Sequence, residues 1–269
     1  MKYALRLSGV DLEYAGTKAL SGIDWVVKEG ESWAVIGPNG AGKTSLVSII
    51  NGYRWPTAGE VEILGDRFGE VDLRDLRTRV GMVSAYFDGW IPEDGKVLDL
   101  VVSGRHGSTI VWRRIRQEDA ERAASLLRTL GLGGHVRKRM RELSQGERQK
   151  VMIARAMMAN AALLLLDEPC EGLDLGAREQ FLEGLTRLAR LGLTSMIYVT
   201  HRTDEIPSGF THALLLKAGR VLAAGPIEET ITARNLTSCF GVPVALETLN
   251  GRYYTMVSGR KRQERPMPF

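Results

Sequence analysis

The stretch Gly37-Pro38-Asn39-Gly40-Ala41-Gly42-Lys43-Thr44 fits G-x-x-x-x-G-K-[ST] at every fixed position. It follows the apolar run Trp33-Ala34-Val35-Ile36 and precedes Ser45-Leu46-Val47-Ser48-Ile49-Ile50, so it reads as a loop between a strand and a helix. That context suits a phosphate cradle. Glycines let the backbone curl until successive N–H groups point inward, and the following helix adds the positive end of its dipole. Lys43 can then reach the β- and γ-phosphates while the Thr44 hydroxyl ligates Mg²⁺. The chemistry implied is the binding of a nucleoside triphosphate.

Two further groups carry chemistry that such a loop needs. Leu163-Leu164-Leu165-Leu166-Asp167-Glu168-Pro169 is an apolar run that ends in two carboxylates. A buried strand delivering Asp167 beside the phosphate loop can hold Mg²⁺ through its water shell, and Glu168, one step on, can polarise an attacking water as general base. Leu143-Ser144-Gln145-Gly146-Glu147-Arg148-Gln149 opens a helix. Ser144 suits its N-cap, and Glu147 three residues later completes a capping box. A helix N-terminus carrying a hydroxyl and a glycine, Ser144 and Gly146, is also a good phosphate receptor.

The elements that must position these residues follow from periodicity. Tyr3 to Leu7, Ile23 to Val27 and Val61 to Ile63 read as short strands with turns at Lys28-Glu29-Gly30 and Leu64-Gly65-Asp66, an antiparallel subdomain leaning on the nucleotide core. From Glu118 the apolar residues Ala120, Ala123, Ala124, Leu127 and Leu130 recur at helical spacing until Gly131. A second helix is expected from about Gln145 to Asn160, and a third around Glu179 to Arg190. Leu163 to Leu166 and Ser195 to Val199 read as fully buried strands. Strands alternating with helices after the loop imply an α/β fold: a P-loop core with a mostly parallel sheet, helices on both faces, and an inserted helical subdomain over about residues 88–158. Residues 1–258 are expected to be one unit, and 259–269 a basic, flexible tail.

Composition narrows the classes. The 269 residues are 44% hydrophobic and 25% charged, ordinary for a soluble globular protein. The longest apolar run, Ala161 to Leu166, falls far short of the roughly 18 to 20 residues that span a bilayer. Met1 to Arg6 lacks the long apolar segment of a signal peptide, and two cysteines, Cys170 and Cys239, build no disulfide framework. A cytoplasmic location is expected, with any membrane crossing left to another chain. The formal charge of +4 gathers in Arg113-Arg114-Ile115-Arg116, Arg137-Lys138-Arg139 with Arg141, and Arg260-Lys261-Arg262. These read as solvated surface and not as a nucleic-acid footprint. Cys170 reads as a small buried filler, and His106, His135 and His212 read as structural histidines.

With the phosphate loop ahead of it and Leu163–Pro169 behind it, Leu143–Gln149 closely resembles the signature of ATP-binding cassette (ABC) ATPases. The resemblance covers nearly the whole chain. Tyr14 stands where the family places an aromatic that stacks on adenine; the loop, the signature, the Leu163–Pro169 motif, the turn Gly172-Leu173-Asp174 and His201 follow in family order. The resemblance implies ATP and Mg²⁺, hydrolysis to ADP and phosphate, and a head-to-tail dimer with two ATPs at its interface. Residues 37–45 of one copy (Gly37, Pro38, Asn39, Gly40, Ala41, Gly42, Lys43, Thr44 and Ser45) would face Ser144, Gln145, Gly146 and Glu147 of the other. Asp174 would support the interface, and His201 would contact the γ-phosphate and help hold the attacking water. A separate transmembrane permease is implied, with no direct binding of cargo.

The sequence also departs from the family. Most members carry a metal-ligating glutamine after the strand matching Val80-Gly81-Met82-Val83-Ser84; here Ala85 or Tyr86 stands there, and no Gln occurs between Gly81 and Arg116. Ser84, Asp88 or a water must substitute, or coupling to a membrane partner is altered. Gln145 and Glu147 replace the commoner Gly and Gln of the signature. Val97 to Gly104 and Thr200 to Pro207 resemble molybdenum-transport-like or photorepair-like members, while Asn235 to Val244 is similar to metal–chelate importers. The leading expectation is the ATPase subunit of a membrane transporter, peripheral on the inner face of the membrane. The alternative is a soluble ABC ATPase acting on nucleic acid, ribosomes or protein assemblies.

Overall fold

A computed structural model describes residues 2–84, 92–106, 115–158 and 161–258. Ala85, Tyr86, Asp88, Arg113, Arg114 and the tail from 259 lie outside the described residues, as does the side chain of His106.

The chain opens with two long strands, β1 (Tyr3–Tyr14) and β2 (Thr17–Lys28), and a short buried one, β3 (Ser32–Ile36). Helix α1 (Lys43–Ile50) follows, then β4 (Ala58–Ile63), β5 (Asp66–Arg67), α2 (Leu73–Arg79) and β6 (Val80–Ser84). The middle is helical: α3 (Val97–Ser103), α4 (Gln117–Thr129) and α5 (Gln145–Met158). Next come β7 (Leu163–Asp167), α6 (Leu175–Leu191), β8 (Ser195–Thr200), β9 (His212–Lys217) and β10 (Arg220–Pro226). Helices α7 (Ile227–Thr230) and α8 (Ala233–Phe240) and the hairpin β11 (Val244–Leu249) with β12 (Arg252–Val257) close the described chain.

The central six-stranded sheet runs β10-β9-β3-β8-β7-β6, parallel throughout except for β10 against β9. A four-stranded antiparallel sheet, β2-β1-β4-β5, stands apart from it. The alternation of side chains along each central strand divides the core in two. Leu164, Leu166, Met196 and Tyr198 face a core shared with α3, α4, α5, α6 and α8. Leu163, Leu165, Ile197 and Val199 face the opposite core, filled by α1, Leu76 of α2 and the antiparallel strands. Burial on both faces explains why these strands are unbroken apolar runs. The expected layers are present; the first two strands run much further than the short apolar stretches suggested, because polar residues on their exposed edges continue the pairing.

All parallel strands point their C-terminal ends the same way. There lie the loop after β3, Ser84, Asp167-Glu168 and His201, at the edge where open α/β sheets place their ligands.

Candidate active site

The loop 37–42 leaves β3 and must turn into α1 within a few residues. Gly42 sits at φ 103°, and a Cβ there would lie 2.8 Å from the Ala19 carbonyl oxygen and 2.9 Å from Leu20 Cδ2. Both its conformation and its neighbours therefore exclude a side chain. The Ala41 N–H donates to the Pro38 carbonyl at 3.1 Å, and the Gly219 N–H to the Ala41 carbonyl at 2.9 Å, so the β9–β10 turn braces the loop. Pro38 is half-buried, Asn39 and Gly40 are exposed, and Thr44 is exposed at the head of α1 beside half-buried Ser45. The Tyr14 hydroxyl donates to Ser45 Oγ at 3.5 Å, which ties the aromatic to the loop.

Lys43 is 6% exposed, and its ammonium is shared among three oxygens. It donates to the carbonyls of Gly37 at 2.9 Å and Pro38 at 3.2 Å, and lies 3.3 Å from Glu168 Oε1. The other Glu168 oxygen, Oε2, is 3.2 Å from His201 Nδ1. One carboxylate thus joins the loop lysine to the histidine at the end of β8. The Glu168 backbone is left-handed, φ 47°, and its N–H donates to the Val199 carbonyl at 2.9 Å. That turn aims the side chain out of the sheet toward Lys43.

Asp167 pairs in register with Ser84 on one side and Val199 on the other. It is 8% exposed, and its Oδ1 has no hydrogen-bond partner among the described residues. Burial first and the Glu168 charge next push its carboxyl up to about 6, although Lys43 pulls it back. A buried, unpartnered carboxylate oxygen with the exposed Thr44 hydroxyl near the same sheet edge is a hard-oxygen donor set, and it fits Mg²⁺.

The signature residues form a second group at the start of α5. Ser144 is exposed; its N–H donates to Glu147 Oε2 at 2.8 Å and its Oγ accepts from the Glu147 N–H at 3.4 Å, so the expected capping box is formed, and the hydroxyl also donates to Oε2 at 3.0 Å. Gln145 Nε2 donates to the Glu171 carbonyl at 3.4 Å. Gly146 is buried, and a Cβ on it would come within 2.8 Å of Ala177 Cβ, so its missing side chain lets α5 meet α6. Asp174 is exposed and caps α6, its Oδ1 accepting from the Ala177 N–H at 2.8 Å.

Some site-facing residues were invisible in the sequence. His135 reaches Glu147 Oε1 with its Nε2 at 2.7 Å, which sets this histidine beside the signature group. His212 is stacked on Trp33 with ring centroids 4.8 Å apart, and its Nε2 lies 3.7 Å from Glu31. Behind His201, the Thr200 hydroxyl donates to Glu205 at 2.7 Å and accepts from the Arg202 N–H at 3.1 Å. Arg252 of the terminal hairpin donates to Glu179 of α6 and to the Asp204 carbonyl, and the hydroxyls of Thr203 and Thr255 meet at 3.1 Å. The hairpin therefore fastens the turn after His201. These partners are distant in sequence, and no spacing rule pairs them. Cys170 is buried, its thiol accepts from Tyr198 at 3.3 Å, and burial pushes it up to about 12, as suits an inert filler.

The model of the ABC transporter family matches residues 20–171. The chain belongs to the ABC transporter family. It is an ATP-binding, ATP-hydrolysing subunit of an ABC transporter, and the soluble alternative is not favoured. It is 40% identical over 242 residues to YlmA, an ABC transporter ATP-binding protein of Bacillus subtilis strain 168, which covers 89% of this chain and 92% of that one. Among solved structures, an inward-facing metal-chelate type ABC transporter is 26% identical, with a TM-score of 0.76 over 94% of this chain and 96% of the other. A dimeric ATP-binding cassette in a post-hydrolysis state, bound to ADP and Pi, is 25% identical, with a TM-score of 0.70 over 83% of this chain and 98% of the other. Among the described residues of this ABC ATPase, no helix is long and apolar enough to cross a membrane.

Proposed function

We propose that this ABC ATPase hydrolyses ATP with Glu168 as general base and His201 as its partner at the γ-phosphate. The observation that carries this reading is the Glu168 carboxylate, held between Lys43 at 3.3 Å and His201 at 3.2 Å. When the triphosphate enters, its oxygens compete for the Lys43 ammonium, which is the stronger match for phosphate charge. Glu168 is then released from Lys43 and can accept a proton from the attacking water as the bond to ADP breaks, giving ADP and phosphate. Tyr14 stacks on the base, the backbone N–H groups of residues 39–45 cradle the phosphates, and Thr44 with Asp167 would hold Mg²⁺, which would supply neutralising charge to the phosphates.

The complete site takes two copies of the chain. Ser144, Gln145, Gly146 and Glu147 of the second copy approach the γ-phosphate, and Asp174 orders the contact; the dimeric relative bound to ADP and Pi supports this arrangement. ATP-dependent closure of a homodimer then drives separate permease chains, which places the protein in the cytoplasm against the membrane. Residues 1–258 act as one ATP-binding unit. The likeness of 97–104 and 200–207 to molybdenum-transport-like or photorepair-like members supports that branch of the family, and recognition of the cargo belongs to the permease chains. With Ala85 or Tyr86 in place of the usual glutamine, a water would complete the shell of a metal held by Thr44 and Asp167.

Replacing Glu168 by Gln tests the base. ATP binding should survive, turnover should fall on the order of 10²-fold or more, and an ATP-bound dimer should accumulate on size exclusion. Near-normal turnover would remove Glu168 from this role.

A further inference from the structure

We propose that His135 is a positioning residue for the signature: its imidazole fixes the Glu147 carboxylate, and that carboxylate fixes Ser144. The inference rests on the reading of Ser144 as a contact to the γ-phosphate of the partner copy.

His135 ends a 3₁₀ turn, Gly133–His135, anchored by its N–H to the Leu132 carbonyl at 2.9 Å and by the Lys138 N–H to its own carbonyl at 3.0 Å. Its ring is thereby carried on a rigid turn between α4 and the signature. Nε2 lies 2.7 Å from Glu147 Oε1, while Nδ1 is buried without a hydrogen-bond partner among the described residues. In the neutral ring one nitrogen carries the proton. Placing it on Nε2 makes a short charge-assisted bond to Glu147 and leaves Nδ1 a bare lone pair; the other tautomer would bury an unpaired N–H and set a lone pair against a carboxylate.

The two Glu147 oxygens therefore divide their work. Oε1 accepts from His135, and Oε2 accepts from the Ser144 N–H at 2.8 Å and hydroxyl at 3.0 Å. Burial pushes the Glu147 carboxyl up, but the Ser144 donors and the His135 ring outweigh it and hold it below its ordinary value. A carboxylate held at both oxygens has one orientation, and Ser144 Oγ beside it, which also accepts from the Glu147 N–H at 3.4 Å, keeps one position from which its single proton can rotate from Oε2 to a phosphate oxygen. Without the ring, Oε1 has only solvent, and the 30% exposed carboxylate is held at Oε2 alone and can turn about that contact, so Ser144 loses part of its fixed direction. The same bond accounts for a glutamate in a position that meets phosphate: the imidazole draws its charge toward the protein and away from the interface.

The test uses the purified full chain with four measurements: kcat and KM for ATP, ADP affinity by calorimetry, and melting temperature. His135→Phe keeps the ring volume and removes both nitrogens; His135→Gln keeps a donor able to reach Oε1. His135→Phe is expected to lower kcat about tenfold, the scale of one charge-assisted bond, with ADP affinity unchanged because ADP lacks the phosphate that Ser144 serves, and with the melting temperature lowered only by what that one bond contributes to the fold. His135→Gln is expected to stay within about twofold of the parent. Ser144→Ala is the control for the underlying reading, and unchanged turnover in that variant removes both. If Ser144→Ala is impaired while His135→Phe is not, or if Gln is no better than Phe, the positioning role alone is overturned. A fall in ADP affinity parallel to kcat would make His135 a packing residue and overturn it as well.

Discussion

At the scale of single residues, the site joins a left-handed glutamate, a shared cation and one buried carboxylate oxygen without a partner among the described residues. Glu168 takes a left-handed backbone that costs a non-glycine residue about 1 kcal/mol or more, and that conformation turns its carboxylate toward Lys43. Lys43 spreads one charge over two carbonyls and a carboxylate. Asp167 carries a buried oxygen with no partner among the described residues. Its raised value, about 6 against 3.8, has a consequence for stability with a definite sign. Between those values the folded protein holds a proton that the unfolded chain has released, so this group's contribution to stability falls as pH rises through the window and stays lost above it. In the nucleotide-free protein, Asp167→Asn should therefore raise stability by about 1 to 3 kcal/mol at pH 8, and the gain should shrink as pH is lowered toward 4. Melting curves of parent and variant at both ends of that range check it; an equal gain at both would show that the Asp167 carboxylate is not the titrating group.

Elements decide where these residues stand. Strand β7 reads Leu-Leu-Leu-Leu before Asp167 because its two faces enter two different cores, and that double burial fixes the height at which the carboxylates emerge. The helix pair α5 and α6 fixes the signature. Their approach depends on Gly146 against Ala177, where a Cβ would stand at 2.8 Å from its neighbour. Gly146→Ala should destabilise the fold by about 1 to 3 kcal/mol through overpacking. Ala177→Gly in the same chain should return much of that loss, since it removes the atom in conflict, at the cost of a glycine inside a helix. Denaturant unfolding of the two single variants and the double variant measures the coupling, and strict additivity would mean that the helices adjust elsewhere. The terminal hairpin acts on the same principle: Arg252 ties it to α6 and to the turn behind His201, so a segment far from the loop braces the histidine.

For the whole molecule, the two site groups of one chain carry complementary halves of the proposed chemistry. Lys43, Asp167, Glu168 and His201 gather at one sheet edge, while Ser144, Glu147 and His135 gather at the head of α5. A head-to-tail pair of copies predicts complementation. Lys43→Ala disables the loop and Ser144→Arg disables the signature, so each variant alone should be inactive. Mixed under conditions that let copies exchange, half of the dimers would be heterodimers with one intact site in two, giving roughly a quarter of parental ATPase activity. Additive residual activities in the mixture would show that each copy completes its own site.

The phosphate loop, the two carboxylates after a buried apolar run, the capping box and the order of the motifs were all legible in the sequence. Each depends on residue types at short spacing, where backbone geometry alone relates them. The same holds for the strands of the central sheet, whose double burial leaves unbroken apolar runs. Spacing could not pair His135 with Glu147, set Gly146 against Ala177, or bring Arg252 behind His201. Those contacts join segments whose separation along the chain carries no information about their distance in space. They arise only when the two cores close and bring α4, α5, α6 and the hairpin around one edge of the sheet. The chemistry was therefore written in local spacing, while the positioning of its supports was decided by packing.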